Sequence, residues 1–261
     1  MSIAEPPAPP RRATQAPAEA PRAITFQPCI YGRVLELMPD DRGATILDVG
    51  AGQGYFARQL TDAGYTAVEA CDFVEEQFRC PEVAFRQADL SVALPYPDDH
   101  FDVVVSIEVV EHIENHFVFL HELMRITRPG GRVIITTPNV MSLSSRWHFF
   151  LFGYDDCAPL PINPHCEQYF LQHINPISLA MLLFHLERNG AEVVDVTTNR
   201  YRKGSRIMGV VLKPILRWLL RRRLAHPRHA DRSAASAVHL RWVLSDANLL
   251  GRITIAVAEK R

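Results

Sequence analysis

Residues 46–56 read ILDVGAGQGYF. An apolar run carrying one acid, Asp48, leads into Gly50, Gly52 and Gly54 at spacing two, and a helical pattern starts at Tyr55. This is a strand running through a tight turn into a helix. Glycine lets the backbone turn sharply and lets a ligand approach with no Cβ in the way. The helix start adds unpaired N–H groups and the positive end of the helix dipole. Outward from this turn, short apolar runs alternate with helical segments. Strands are expected at 44–50, 66–72, 83–89, 101–107, 132–138, 191–198 and 252–260, and helices at 28–40, 55–64, 115–127 and 177–190. The alternation implies parallel strands joined by helical crossovers, an α/β doubly wound sheet with helices on both faces. Ligands of such sheets sit at the carboxyl ends of the strands.

The turn does not suit a dinucleotide. That site wants G-x-G-x-x-G/A, and Tyr55 stands where the last Gly or Ala belongs. A pyrophosphate would also meet the carboxylate of Asp48. A ligand with an ammonium group would gain from it, which points to S-adenosylmethionine. Two further acids end the next two strands. Asp72, 18 residues after Gly54, can accept both ribose hydroxyls. Asp89 can accept from the adenine amino group while the N–H of Leu90 meets a ring nitrogen.

The chain has 261 residues, 48% hydrophobic and 22% charged, which excludes collagen, coiled coil and wholesale disorder. The net charge of -1 excludes a polycation built to coat nucleic acid. Charge is nevertheless uneven: residues 200–232 hold eleven Arg or Lys against one acid. Residues 1–22, with six Pro and six Ala, read as a disordered leader without a signal-peptide pattern. Residues 23–261 then form a single domain, with insertions at 139–176 and 200–250 that are too long for plain connections. Five cysteines without a C-x-x-C pair fit a reduced, cytoplasmic setting. Cys157, His165 and Cys166 match no zinc-finger spacing.

Taken in order, ILDVGAGQGYF, the acid in VEACDF, QADL, FDVVVSIEVVEHIEN and RPGGRVIITTPN resemble the motifs of the class I S-adenosylmethionine-dependent methyltransferases. The resemblance covers about residues 28–139 and 177–198. It implies a Rossmann-like sheet of seven strands whose seventh, 252–260, is antiparallel. It implies cofactor contacts from Asp48, Gly50, Gly52, Gly54, Asp72, Asp89 and Leu90, with Ile107 beside the adenosine or the transferring methyl.

After the fourth strand comes Glu108-Val109-Val110-Glu111-His112. If helical, this segment puts Glu108, Glu111 and His112 on one face, where two carboxylates and an imidazole can hold a divalent metal. The cluster resembles those of ubiquinone-pathway O-methyltransferases and small-RNA 3′-terminal 2′-O-methyltransferases. The latter implies His173, before the helix at 177, as a fourth ligand for Mg²⁺ or Mn²⁺. Without metal, Glu111 braces the loop and His112 serves as a general base or only structurally. Weaker matches at Thr137-Pro138-Asn139, 142–146 and 173–176 resemble bacterial envelope-glycan methyltransferases.

The expected activity is O-methylation of a small-molecule, quinone or envelope glycan or lipid acceptor, with Glu111 and His112 as catalytic residues. The alternatives are a metal-dependent RNA 2′-O-methyltransferase, disfavoured by the acidic body of the chain, and a non-catalytic cofactor-binding scaffold. The aromatic segment 140–176 is expected to wall the acceptor. The apolar and basic segment 207–223 is expected either to pack on the domain or to touch the inner face of a membrane, with Pro214 kinking its helix or starting a second half.

Overall fold

The computed structural model describes residues 28–154, 172–224 and 240–261. The leader at 1–22, the trio Cys157, His165 and Cys166, and the aromatics Tyr169 and Phe170 lie outside these residues.

The elements run α1 (Pro28–Leu35), β1 (Thr45–Val49), α2 (Tyr55–Asp62), β2 (Ala67–Asp72), β3 (Ala84–Gln87), β4 (Phe101–Ile107), α3 (His116–Ile126), β5 (Thr127–Pro138), α4 (Leu143–Phe152), α5 (Leu179–Arg188), β6 (Ala191–Thr197), α6 (Lys203–Leu224), α7 (Asp246–Leu250) and β7 (Ile253–Lys260). The sheet order is β3-β2-β1-β4-β5-β7-β6. The first five strands pair in parallel, and β7 is antiparallel to both β5 and β6. This is the doubly wound, Rossmann-like seven-stranded sheet, with its antiparallel last strand.

Strand periodicity divides the core between two faces. Leu47, Val104 and Val133 bury against Leu120, Leu123 and Leu182 of α3 and α5. Ile46, Val103 and Ile134 bury against Ile30, Val34, Phe56 and Leu60 of α1 and α2. Asp48, two residues on from Ile46, therefore points toward α1 and α2.

Two expectations are corrected. β5 begins at Thr127, five residues before the expected 132, and takes in the Pro129-Gly130-Gly131 turn. Thr127 already pairs with Phe101, the register shifts before Val103 pairs with Arg132, and Gly130 absorbs the irregularity at φ 74°. In the second insertion, α6 continues through Pro214 as one 22-residue helix, so Pro214 does not start a second one. Among the described residues no helix is long and apolar enough to cross a membrane.

Below the sheet edge, the buried Glu122 of α3 accepts from Arg125 Nε at 2.9 Å, Arg125 Nη2 at 2.7 Å and the Leu94 amide at 2.8 Å. Arg125 also donates to Asp98 at 2.7 Å and to the carbonyls of Tyr96 and Leu94. These bonds hold the chain between Asp89 and β4 against α3.

Candidate functional site

The glycine turn has the conformation its composition requires. Gly50, Gly52 and Gly54 have φ of 77°, 53° and 80°, in the left-handed region that suits residues without a Cβ. Close approach adds a second constraint. A Cβ on Gly54 would stand 2.8 Å from the Phe78 ring, and one on Gly50 would collide with Val109. The turn is tied to β2 by Gly50 and Ala51 amides, which donate to the Cys71 carbonyl at 2.9 and 3.1 Å.

Asp48 is buried, and its Oδ2 has no hydrogen-bond partner. Burial first, then the charge of Asp72, push its carboxyl up to about 7 from the usual 3.8. An orphaned buried carboxylate oxygen beside a glycine turn is costly unless a cation or donor meets it. The ammonium of S-adenosylmethionine is a group of that kind, so this donor set fits the cofactor.

Asp72 is partly buried at the end of β2. Its Oδ2 accepts from the Gly52 amide at 2.7 Å and its Oδ1 from the Val74 amide at 3.3 Å. The carboxylate thus braces the turn and still has acceptor capacity on both oxygens. Asp89 lies exposed just beyond β3, and its Oδ1 accepts from the Ser91 amide at 2.8 Å. The Leu90 side chain is buried in the core under the sheet, and Ile107 packs partly buried against the α1–α2 core.

The segment after β4 is not one helix, so Glu108, Glu111 and His112 do not share a helix face. Glu108 has φ 56°, one of two non-glycine residues with positive φ among those described. A left-handed non-glycine residue costs about 1–3 kcal/mol and persists only where its surroundings hold it. Here its amide meets both Thr136 oxygens, at 3.2 and 3.0 Å, and its Oε1 accepts from Thr136 Oγ1 at 2.9 Å. Its carboxyl is enclosed although the residue keeps some exposed surface, and burial pushes it up to about 7 against the Thr136 bond and the charge of Arg252. A single 3₁₀ turn, Val110–His112, follows.

That turn brings Glu111, His112 and His173 together, with one ligand atom from each within 4.8 Å of the others; Glu108 is not in this group. Glu111 is fully buried. Its Oε2 accepts from Thr137 Oγ1 at 3.1 Å, and its Oε1 has no partner. Burial, then the charge of Glu108, raise it well above the usual carboxylate range. His112 Nδ1 lies 2.9 Å from the Gln172 carbonyl. A carbonyl only accepts, so Nδ1 carries the proton and Nε2 keeps its lone pair. Burial, then His173, push the imidazole down to about 4. The His112 and His173 rings meet edge to face, with centroids 4.9 Å apart. The 172–175 segment is stapled in place: the Asn175 amide donates to the Glu111 carbonyl at 3.0 Å, and its side chain donates to the carbonyls of Ile113 and Glu114.

Sequence reasoning misses Tyr31. Burial, then the charges of Asp48, Glu108 and Tyr55, push its hydroxyl up to about 12, which puts this α1 side chain within electrostatic reach of Asp48 and Glu108. No motif marks it, and only the packing of α1 on α2, with Tyr31 stacked on Phe56 at 5.9 Å, brings it there.

Comparison with known proteins gives a consistent set of similarities. The family model described as a methyltransferase domain matches residues 24–250. The chain is 31% identical over 157 residues to a Mycolicibacterium smegmatis protein named as an S-adenosylmethionine-dependent methyltransferase, covering 59% of this chain and 54% of that one. It is 42% identical over 101 residues to an uncharacterized methyltransferase of Mycolicibacterium paratuberculosis, covering 36% and 39%. The chain thus spans about half or less of the length of these relatives. Among solved structures it resembles S-adenosylmethionine-dependent methyltransferases from Mesorhizobium loti (TM-score 0.54, 14% identity, 89% of this chain and 98% of that one) and Archaeoglobus fulgidus (TM-score 0.54, 17% identity, 88% and 93%). At these identities the likeness is one of fold.

Proposed function

Because the chain belongs to the methyltransferase-domain family of S-adenosylmethionine-dependent enzymes, we propose that it transfers the cofactor's methyl group to an oxygen nucleophile, on a small-molecule, quinone or envelope glycan or lipid acceptor. The observation that carries the oxygen assignment is the tautomer of His112. With Nδ1 held by the Gln172 carbonyl, Nε2 is a fixed proton acceptor at the carboxyl edge of the sheet.

In this reading Asp48 holds the ammonium of the cofactor, the amide-braced Asp72 holds the ribose, and Asp89 with the Leu90 amide meets the adenine. The cofactor supplies the electrophilic methyl. The chain supplies orientation and an acceptor for the proton the hydroxyl must lose. His112 Nε2 would take the proton that the acceptor hydroxyl loses as it receives the methyl group, with Nδ1 kept on the Gln172 carbonyl. Glu111, buried behind the turn and bonded to Thr137 Oγ1, braces the loop that carries the imidazole.

A second reading has its own support in the Glu111, His112 and His173 grouping and in the unpartnered Glu111 Oε1. One carboxylate and two imidazoles suit a divalent cation such as Mg²⁺ or Mn²⁺, with Glu108 nearby, and such an ion would lower the pKa of a bound hydroxyl.

Methyl-labelled cofactor and a cell extract test the proposal. His112→Ala should cut label transfer by about a hundredfold or more while S-adenosylhomocysteine affinity stays unchanged. Undiminished transfer by the variant would overturn the role of His112. Cofactor binding with no label transferred by the wild type would favour a scaffold. Loss of transfer in excess chelator, restored by Mn²⁺, would select the metal reading.

A further inference from the structure

The helix α6 is apolar on two opposite sides. Ser205, Met208, Gly209, Leu212 and Leu216, at helical spacing, face the domain, and Met208, Leu212 and Leu216 pack on Leu143, Leu249 and Leu250. That side is satisfied. The other side carries the same kind of stripe: Ile207, Val210, Val211, Pro214 and Trp218. Among the described residues nothing covers it: Ile207 is 76%, Val210 78%, Val211 62% and Trp218 57% exposed. An ordinary surface helix has one apolar stripe and a polar outer face. Alongside the outer stripe lie Arg206, Lys213 and Arg217, which with Val210, Pro214 and Trp218 line a shallow groove of about 590 Å³. Lys213 is paired with Asp246, whereas Arg206 and Arg217 have no acidic partner among the described residues. The neighbouring helix α4, packed on α6, also leaves Trp147, Phe149, Phe150 and Phe152 exposed.

We propose that the outer face of α6 docks this protein on the surface of an anionic lipid bilayer. Charge complementarity selects the occupant. Together α4 and α6 contain eight Arg or Lys and no Asp or Glu, while the rest of the chain carries 20 basic against 29 acidic residues. A basic, tryptophan-bearing face on an otherwise acidic protein is drawn to anionic headgroups and repelled by a second copy of itself. Branched aliphatic side chains at the centre of the face gain from an acyl boundary and offer nothing to stack on a base. The helix lies along the surface: its apolar stripe enters the headgroup region, and Arg206 and Arg217 reach lipid phosphates. The proposal does not depend on which acceptor the enzyme methylates.

Vesicle co-sedimentation of the full chain tests it, with phosphatidylglycerol-containing against pure phosphatidylcholine vesicles. Wild type should pellet with the anionic vesicles and at least about tenfold less with the neutral ones. At about 1 kcal/mol per basic residue near an anionic surface and 1.4 kcal/mol per tenfold, Arg206→Gln with Arg217→Gln should lower the partition constant about thirtyfold. Ile207→Ser with Val210→Ser and Trp218→Ser should abolish pelleting on both. All these side chains are on the surface, so unchanged thermal unfolding and S-adenosylhomocysteine affinity should show that both variants fold. Wild-type pelleting that ignores lipid charge, no pelleting at all, or variants that pellet like wild type would overturn the proposal. So would a dimer in light scattering that both variants dissolve, or retention on duplex RNA without vesicle binding.

Discussion

Replacing Asp48 by Asn removes the buried charge and keeps the side chain's shape. In the folded chain without ligand, burial and Asp72 hold this carboxyl at about 7 against an ordinary 3.8. A raised carboxyl pKa means that ionisation opposes folding. The cost is absent below pH 4, where both folded and unfolded chains are protonated, grows as pH rises from about 4 to 7, and is constant above. At 1.36 kcal/mol per unit it reaches about 4 kcal/mol. Asp48→Asn should therefore stabilise the ligand-free protein at pH 8, by at most about 4 kcal/mol, and leave it unchanged at pH 4. The same change should weaken S-adenosylhomocysteine, because a hydrogen bond to a charged group contributes about 1.5–3 kcal/mol, or about ten- to a hundredfold in affinity. Denaturant unfolding at the two pH values and calorimetric titration measure the two effects. Wild-type affinity should also be about tenfold lower at pH 6 than at pH 8, as the carboxylate is lost, whereas the variant should show no such dependence. A variant that binds as tightly as wild type, or that is less stable at pH 8, would refute the assignment of Asp48 to the ammonium.

Other residues give sharper or simpler tests. Asp72→Ala should weaken S-adenosylhomocysteine at least about tenfold by removing the ribose acceptor and the brace on Gly52, read by calorimetry with the fold checked by circular dichroism. Arg125→Ala strands the buried Glu122 and should cost about 2 kcal/mol after allowance for partial exposure, against no more than about 0.5 kcal/mol for Arg261→Ala, whose pair with Glu192 is exposed; thermal unfolding compares them. Glu111→Gln should leave cofactor affinity unchanged. If Glu111 holds an ion, it should also raise the Mn²⁺ concentration needed for half-maximal label transfer.

The residues that were legible in the sequence are those whose chemistry leaves few alternatives. Gly50, Gly52 and Gly54 all adopt left-handed backbone, and a run of glycines at a strand end has few other uses. The parallel core strands read as short β-branched runs because both of their faces are buried, as at Val103, Val104 and Val105. What stayed hidden depends on tertiary contacts. The early start of β5 at Thr127 is masked by the turn chemistry of Pro129 and Gly130, and pairing with Phe101 decides it. Helical spacing suggests a shared face for Glu108, Glu111 and His112, but Thr136 captures Glu108 in a left-handed conformation that no local signal announces. Tyr31 reaches the site through the docking of α1, which is invisible to any motif. Helix α6 is apolar on two opposite sides, and sequence cannot say which of them the domain covers.

The most direct test of the cofactor pocket is a crystal structure of the chain with S-adenosylhomocysteine. The expected result is the ammonium within hydrogen-bond distance of Asp48 Oδ2, both ribose hydroxyls on the Asp72 carboxylate, and the sulfur directed toward the side of the pocket that holds Tyr31 and Glu108. Ligand density away from the glycine turn, or a ribose that makes no contact with Asp72, would contradict it.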